Sequence, residues 1–317
     1  MLVRFWGTRG SLPVGLTSAA VKKKLAAAFQ KAIGKPLDTT VRIDAFLAQE
    51  FPEPATYGGN SSCVQIDIGG SDYVLCDVGS GARPFANHVL TTHGPRKAHT
   101  FHVFMSHLHW DHIMGFPFFV PIYIPGNTIR IYGCHDVLEE AFRRQHSAPS
   151  FPVDFSRIPS HIEFVRLDTG VTYEIAGLQV RAMRQRHAGD SYGYRFEHQG
   201  KVAVYSTDSE HKLEDRTVTD EFVAFFRDAD LVIFDAMYSL ADAITVKEDW
   251  GHSSNVVGVE LCQMARAKHI CLFHHDPFSD DEQLATMLRD TRRFEEITRG
   301  ETRLEVSAAY DGMDIVL

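Results

Sequence analysis

The sequence lacks the features that mark several large protein classes. Its five cysteines form no CxxC pair and no even framework, which excludes a disulfide-stapled scaffold or a zinc ribbon. Reduced thiols in a cytoplasmic protein are the expectation. No apolar run approaches the ~18 residues that cross a bilayer. The start, Met1-Leu2-Val3-Arg4-Phe5, reads as a strand and not as the apolar core of a leader. Positive charge is nowhere concentrated: the longest basic run is Lys22-Lys23-Lys24, in a chain of formal net charge −9. Such a chain repels a long polyanion on average, so stable DNA or RNA binding is not expected. Repeats and low-complexity tracts are missing too, which removes solenoids and linker-rich architectures.

What is present is an ordinary globular composition, 44% apolar and 23% charged over 317 residues, enough for a sizeable core. Strands are expected at Leu2 to Trp6, at Asn60 to Ile68 with period-two alternation, and at Tyr73 to Val78. Between the first two, Val21, Leu25, Phe29 and Ile33 form one helical stripe that Gly34-Lys35-Pro36 stops. A second short helix carries Ile43, Phe46 and Leu47 before Pro52 and Pro54. Residues 14–56 therefore read as a helical insertion on a β-rich core. Packing or dimerisation is its expected role, with an active-site lid as the alternative. Later strands cover 161–164, 178–183, 192–196 and 201–205, and Leu231-Val232-Ile233-Phe234-Asp235 and Ile270-Cys271-Leu272-Phe273 are fully apolar. A final strand pair closes the chain. Interleaved helices imply sheets sandwiched between helical layers.

The densest chemistry is His107-Leu108-His109-Trp110-Asp111-His112, directly after the apolar run 101–105. Two histidines at i and i+2 share one face of extended chain, and a following bend turns Asp111 and His112 toward a second point. That geometry suits two adjacent divalent metals with an activated water between them. Four ligands do not complete two such sites, so further donors are sought at strand ends. His187 closes one strand, Asp208 follows another, and His274 and His275 end a third. A carboxylate such as Asp208 can bridge two metals.

These residues resemble the metallo-β-lactamase-fold hydrolases and, within them, the ribonuclease Z-like phosphodiesterase branch. The resemblance covers nearly the whole chain outside the insertion. Phe5-Trp6-Gly7-Thr8-Arg9-Gly10-Ser11 and Asn60-Ser61-Ser62 are similar to the branch's first strand-loop and second strand. Asp77, in Cys76-Asp77-Val78-Gly79, resembles the buried aspartate that supports the metal loop. His107, His109, Asp111 and His112 fit the HxHxDH signature, His187 fits the third motif, Asp208 the bridging aspartate and His274 the last histidine. The resemblance implies one α/β domain over residues 1–317, a four-layer αββα sandwich with the site at strand ends. It assigns His107, His109 and His187 to one metal and Asp111, His112 and His274 to the other. The adjacent His275 leaves the last ligand open; spacing to Pro277 favours His274, with His275 behind it. Homodimerisation is a further implication.

Oxygen-reducing diiron members of this fold carry Glu where this chain has His109. Imidazole there fits hydrolysis at zinc, with manganese or iron as alternatives. The expected reaction is attack by a hydroxide bridging the metals, with Asp111 and His252 as the catalytic residues. His252, in Trp250-Gly251-His252-Ser253-Ser254, resembles the branch's AHxS/T-like motif, where a histidine ahead of a helix protonates the leaving oxygen. Ser253 or Ser254 would cap that helix. Asp235 is placed to orient His252 or a ligand. Arg9 is a candidate substrate contact. Phe116, Phe118, Phe119 and the apolar loop 151–155 are expected in the core, with base stacking as the alternative, and Tyr192 and Tyr194 are expected to pack. Only residues 188–207 separate His187 from Asp208, too few for the long arm of tRNA-processing relatives. Asp208 to His274 likewise has no room for a second domain. What remains is a small or cyclic phosphodiester, cyclic nucleotide-like. A carboxylic ester, lactone or thioester hydrolase is the alternative, and a metal-bound regulatory protein without turnover is the non-enzymatic one.

Overall fold

The computed structural model describes residues 1–51, 54–211, 215–238 and 251–317. Pro52, the expected helix breaker, and Trp250, the first residue of the His252 motif, lie outside them.

Alternation builds the first sheet: in β1 (Leu2–Gly7) every second side chain is buried. Around it stand β2 (Cys63–Asp67), β3 (Tyr73–Cys76), β4 (Thr100–Phe104), β5 (Thr128–Gly133) and β6 (His161–Arg166). The second sheet contains β7 (Thr172–Ile175), β8 (Leu178–Gln185), β9 (Ser191–His198), β10 (Lys201–Ser206), β11 (Leu231–Asp235), β12 (His269–Phe273) and β13 (Glu305–Ala308), and β14 (Asp314–Val316) returns to the first. The orders are β14-β1-β2-β3-β4-β5-β6 and β13-β12-β11-β10-β9-β8-β7. The expected terminal strand pair is thus a split: β14 pairs with β1, and β13 with β12. Two short apolar strands joined by Asp311-Gly312 look like a hairpin locally, but each completes a different sheet.

The inner faces of the two sheets meet in one core. Phe104 of β4 stacks on Tyr132 at 4.8 Å and takes the edges of Tyr194 and Phe196 from the opposite sheet at 5.4 and 5.2 Å. Such aromatic pairs add about 0.5–1.5 kcal/mol each beyond area burial. The outer face of the first sheet is covered by α3 (Ala82–His93) and α5 (Leu138–Gln145), through residues such as Phe85 and Phe142. The second is covered by α6 (Arg216–Phe226), α7 (Asn255–Met264) and α8 (Asp281–Thr298), through Phe226, Leu261 and Leu288. These are the four layers of an αββα sandwich. Helix starts follow local chemistry: Ser254 caps α7 by accepting from Val257 N, and Asp280 with Gln283 forms a capping box on α8.

Within both sheets β3 to β6 and β10 to β13 run parallel. Their carboxyl ends therefore deliver loops to one edge of the sandwich, where such sheets leave a crevice. α4 (Trp110–Ile113) starts there, right after the histidine loop.

The insertion forms α1 (Ser18–Ala32) and α2 (Thr40–Glu50). Its apolar stripe faces outward, with Phe29 and Ile33 71% and 80% exposed. Of the two helices only Phe46 is buried. The ties to the body include surface ion pairs, Lys23 to Glu282 at 2.9 Å and Lys24 to Asp281 at 2.7 Å, of a kind worth about 0–1 kcal/mol. The chain leaves and re-enters the body at one point, since Val14 N donates to Gly59 O at 2.8 Å.

We propose that residues 14–56 are an accretion on a single-domain body. Replacing 16–54 by a short Gly-Ser linker should leave one cooperative thermal transition, with Tm lowered by no more than about 4 °C, the equivalent of about 1 kcal/mol. Loss of the cooperative melt would make the segment part of the core.

Candidate metal centre

The expected residues meet at the shared edge in two adjoining groups. Ligand atoms of His107, His109 and His187 lie within 4.8 Å of one another, and so do those of Asp111, His112, Asp208 and His274. Asp208 stands between the groups. Its Oδ1 is 3.2 Å from Nε2 of both His112 and His274, while its Oδ2 is 3.5 Å from His107 Nε2 and 3.8 Å from His187 Nε2. One carboxylate therefore shows one oxygen to each group. His274, and not its neighbour, faces the cluster. His275 turns away, donates from Nε2 to Ala309 O at 2.8 Å and packs its ring on Tyr57.

Hydrogen bonds on the far side of the rings set which nitrogen is free. His112 donates from Nδ1 to Asp77 Oδ2 at 2.7 Å, and His187 donates from Nδ1 to Gly251 O at 2.7 Å. His107 Nδ1 is 3.1 Å from Ser106 Oγ, which itself donates to Asp77 Oδ2 at 2.7 Å. Each bond leaves an Nε2 lone pair pointing inward. The buried His107 Nε2 has no hydrogen-bond partner. Inward nitrogens also face each other, His112 to His274 at 3.3 Å and His187 to His109 Nδ1 at 3.2 Å. Opposed lone pairs are unfavourable unless a cation lies between them, so these residues fit divalent metals. The all-imidazole and carboxylate donor set suits zinc, manganese or iron.

The electrostatics agree. Burial opposes charge on His112, yet Asp111, Asp208 and Asp77 around it lift its proton affinity well above the ordinary range. Burial likewise works against ionised Asp111 and Asp208, but the neighbouring imidazoles hold both carboxyls well below the usual range. His107 is pushed well down, by burial first and then by His112. The pocket is built for positive charge that its own side chains do not fully supply.

Sharp turns aim the ligands. Asp77, Asp208 and His274 all have positive φ, at 60°, 48° and 60°. This is sparsely populated backbone that clusters where surroundings over-determine it. The loop after β1 closes against them. A Cβ on Gly10 would lie 2.5 Å from the His274 ring, so only glycine fits there. The next residue, Ser11, donates its backbone N–H to Asp111 Oδ2 at 2.8 Å.

His252 stands beside both groups. A ring nitrogen lies within 4.8 Å of ligand atoms of His187 and Asp208, and its Nδ1 is 2.8 Å from Asp235 Oδ2. Burial disfavours its charge, but Asp235 overrides that and lifts the pKa to about 9. Asp235 also accepts from Ser209 N at 3.1 Å and Met237 N at 3.2 Å, so it joins three loops. The residue ahead, Gly251, has φ 82°, and a Cβ there would strike His187 Nδ1.

The remaining expectations divide, some met and some corrected. Arg9 does not face the cleft. It is buried and spans carbonyls of Gly58, Asp276 and Ser279 at 3.0, 3.1 and 2.8 Å. A guanidinium in that loop ties the segments at Gly58 and at Asp276–Ser279 to the loop after β1, with Nη2 turned toward Asp281 Oδ1 at 3.9 Å. Phe116 and Phe119 are core, whereas Phe118 is exposed. Tyr194 is buried and donates to Met105 O at 2.8 Å, and Tyr192 packs on His135. Of the two serines, Ser254 is the cap, while Ser253 donates to Ser209 O. Sequence reasoning missed Ser11, Ser106 and Tyr205, whose hydroxyl donates to Asp77 Oδ2 at 2.7 Å. Only Ser106 left a signal, as a small polar residue between an apolar strand and His107.

The fold and this cluster define the class. A family model described as a beta-lactamase superfamily domain matches residues 72–275. That is more than half of the chain, and the chain belongs to this family, the metallo-β-lactamase-fold hydrolase superfamily. Its sequence relatives include ribonucleases Z. That of Geobacillus kaustophilus is 25% identical over 219 residues, 55% of this chain and 69% of that enzyme. That of Staphylococcus haemolyticus is 28% identical over 130 residues, 39% of this chain and 38% of that enzyme, so the match spans well under half of that relative. Among solved structures, the metallo-beta-lactamase fold protein YhfI from Bacillus subtilis superposes with a TM-score of 0.65 at 17% identity, covering 99% of this chain and 98% of that one. The likeness to YhfI is one of fold. Among the described residues no helix is long and apolar enough to cross a membrane, and all five cysteines are free and buried.

Asp77 is the anchor that a mutation should expose. Asp77→Ala strips partners from Ser106, His112 and Tyr205. The metal-free protein should lose about 3–5 kcal/mol in urea unfolding, and zinc affinity should fall about 10–100-fold. Unchanged stability and affinity would mean that the network does not orient the ligands.

Proposed function

We propose that the protein is a binuclear metal-dependent phosphodiesterase acting on a small phosphodiester. The observation that carries this reading is His252, held at Nδ1 by Asp235 with its ring beside His187 and Asp208. His107, His109 and His187 would hold one divalent cation, and Asp111, His112 and His274 the other, with Asp208 between. When bound, such cations acidify water and neutralise charge building on a phosphoryl oxygen. Zinc is the first candidate, manganese and iron the alternatives.

The chain's own residues supply the rest. Asp235 accepts a hydrogen bond from Nδ1 and favours the doubly protonated imidazolium, whose Nε2–H is then the proton to be delivered to the leaving oxygen. A departing alkoxide is a poor leaving group and needs that proton, whereas a thiolate, as from a thioester, leaves without it. Asp235 is a positioning residue, since it acts through His252. The β8–β10 segment supports the reading of a small substrate. β8 and β9 close between Gln185 and Ser191, and β9 and β10 close between His198 and Lys201. Both links are tight, so no arm emerges between β8 and β10. Together with net charge −9, this favours a small or cyclic diester.

The leaving group provides the test. His252→Ala in zinc-loaded protein should slow hydrolysis of a diester with an alkyl leaving group about 10²–10⁴-fold. With p-nitrophenol, which leaves without a proton, the loss should be much smaller. Equal losses on both substrates would remove the general-acid assignment. Turnover of lactones or thioesters with every diester inert would favour the carboxylic ester reading.

A further inference from the structure

The group of His107, His109 and His187 is assembled across the sandwich. His107 and His109 follow β4 of the first sheet, whereas His187 sits in the 186–190 turn that joins β8 to β9 of the second. Asp77 and the Tyr205 hydroxyl tie the sheets behind His112. The His187 turn needs a tie of its own.

His135 supplies one. β5 runs parallel to β4, so its end reaches the edge where the histidine loop emerges, and His135 stands two residues beyond it. The side chain is buried, and its Nε2 donates to Asp190 O, in the turn, at 2.6 Å. A carbonyl only accepts, which places the proton on Nε2. The ring also lies edge-on to Tyr192 at 4.8 Å, and Tyr192 N donates at 2.9 Å to Ser106 O, one residue before His107. The chain leaving the turn is thus pinned twice to loops of the first sheet.

Packing alone does not demand histidine here. Nδ1 of His135 is buried without a hydrogen-bond partner, a state that buried nitrogens seldom occupy. A phenylalanine would fill similar space without leaving a nitrogen bare. The turn it holds is sharp, with Gly189 and Asp190 at φ 81° and 58°. It also lies against the cluster, since a Cβ on Gly189 would come 3.1 Å from His109 Nε2. The His187 ring bonds Gly251 O at 2.7 Å, which sets its rotation. His135 sets where the turn stands.

We propose that His135 is a positioning residue for one of the two cations: by holding the Asp190 carbonyl it fixes how far His187 stands from His107 and His109. This rests on the binuclear metal reading above and adds a residue outside the cluster that tunes one of its sites.

Cobalt titration of the metal-free full chain, followed by visible absorption, reads the sites without turnover. The wild type should take up two equivalents. His135→Phe keeps a ring beside Tyr192 and removes the donor. It should weaken one equivalent about tenfold, the low end for groups that support metal ligands, and leave the other unchanged. His135→Gln returns a donor near the Nε2 position and should restore most of the loss. Hydrogen exchange of the metal-free proteins gives a second readout: amides of 186–190 should exchange faster in His135→Phe, and those of 106–112 should not. If the Phe variant does not fold, His135→Asn, too short to reach Asp190, takes its place beside His135→Gln.

Unchanged affinity for both equivalents overturns the proposal. So does equal weakening of both without rescue by glutamine, or unchanged exchange at 186–190. A wild type that takes up no cobalt overturns the metal reading and the proposal with it, and faster exchange at 186–190 would then leave His135 a tether of the turn and nothing more.

Discussion

Seven imidazole and carboxylate groups are held together in and beside the interior with their lone pairs turned on one another, and the rest of the structure serves that unfavourable arrangement. His112 and His274 face nitrogen to nitrogen at 3.3 Å, and Asp208 shows an oxygen to each side. Burying such groups without a compensating cation costs several kcal/mol per ion. Nothing local in the loops would keep them there. What does is the sandwich: parallel strands end along one edge, and their ends are anchored in a core shared by both sheets.

Two buried carboxylates convert that scaffold into aim. Asp77 holds the histidine loop from the first sheet and also receives the Tyr205 hydroxyl from the second, so it locks the sheets in register at the point where the ligands emerge. Asp235 plays the corresponding part on the second sheet, joining Ser209, Met237 and His252. The positive φ of Asp77, Asp208 and His274 is the strain that this precision requires. Arg9, buried against three carbonyls, closes the loop that delivers Ser11 to Asp111. The proton delivery and cation binding proposed for the cleft would thus rest on hydrogen bonds one layer removed from it.

Much of this was legible in the chain. Metal ligands must be particular residue types, and rigid strand ends are where they must stand, so His107, His109, Asp111, His112, His187, Asp208 and His274 could be picked out before any fold was known. The layers were legible because alternation and apolar runs distinguish half-buried from fully buried strands. The choice of His274 over His275 rested on spacing to Pro277, while the direction in which each ring points depends on the turn. Arg9 was misread because a cation near an anion-binding site suggests ligand contact, whereas carbonyls from residues far along the chain claim it. Ser11 and Tyr205 were invisible, one acting through its backbone and the other across the sheet interface. The final strands misled for a similar reason: pairing across a sandwich leaves no mark on short segments. The outward stripe of α1 shows that helical periodicity reports a face without saying what covers it.

The account's central claim is that Asp208 joins two cation sites in one buried cluster. Diffraction from zinc-soaked crystals, with anomalous differences collected on either side of the zinc absorption edge, addresses it directly. The account predicts two anomalous peaks a few ångströms apart, one among His107, His109 and His187, the other among Asp111, His112 and His274, with an Asp208 oxygen on each. A single peak, or peaks that leave Asp208 uncoordinated, would contradict it.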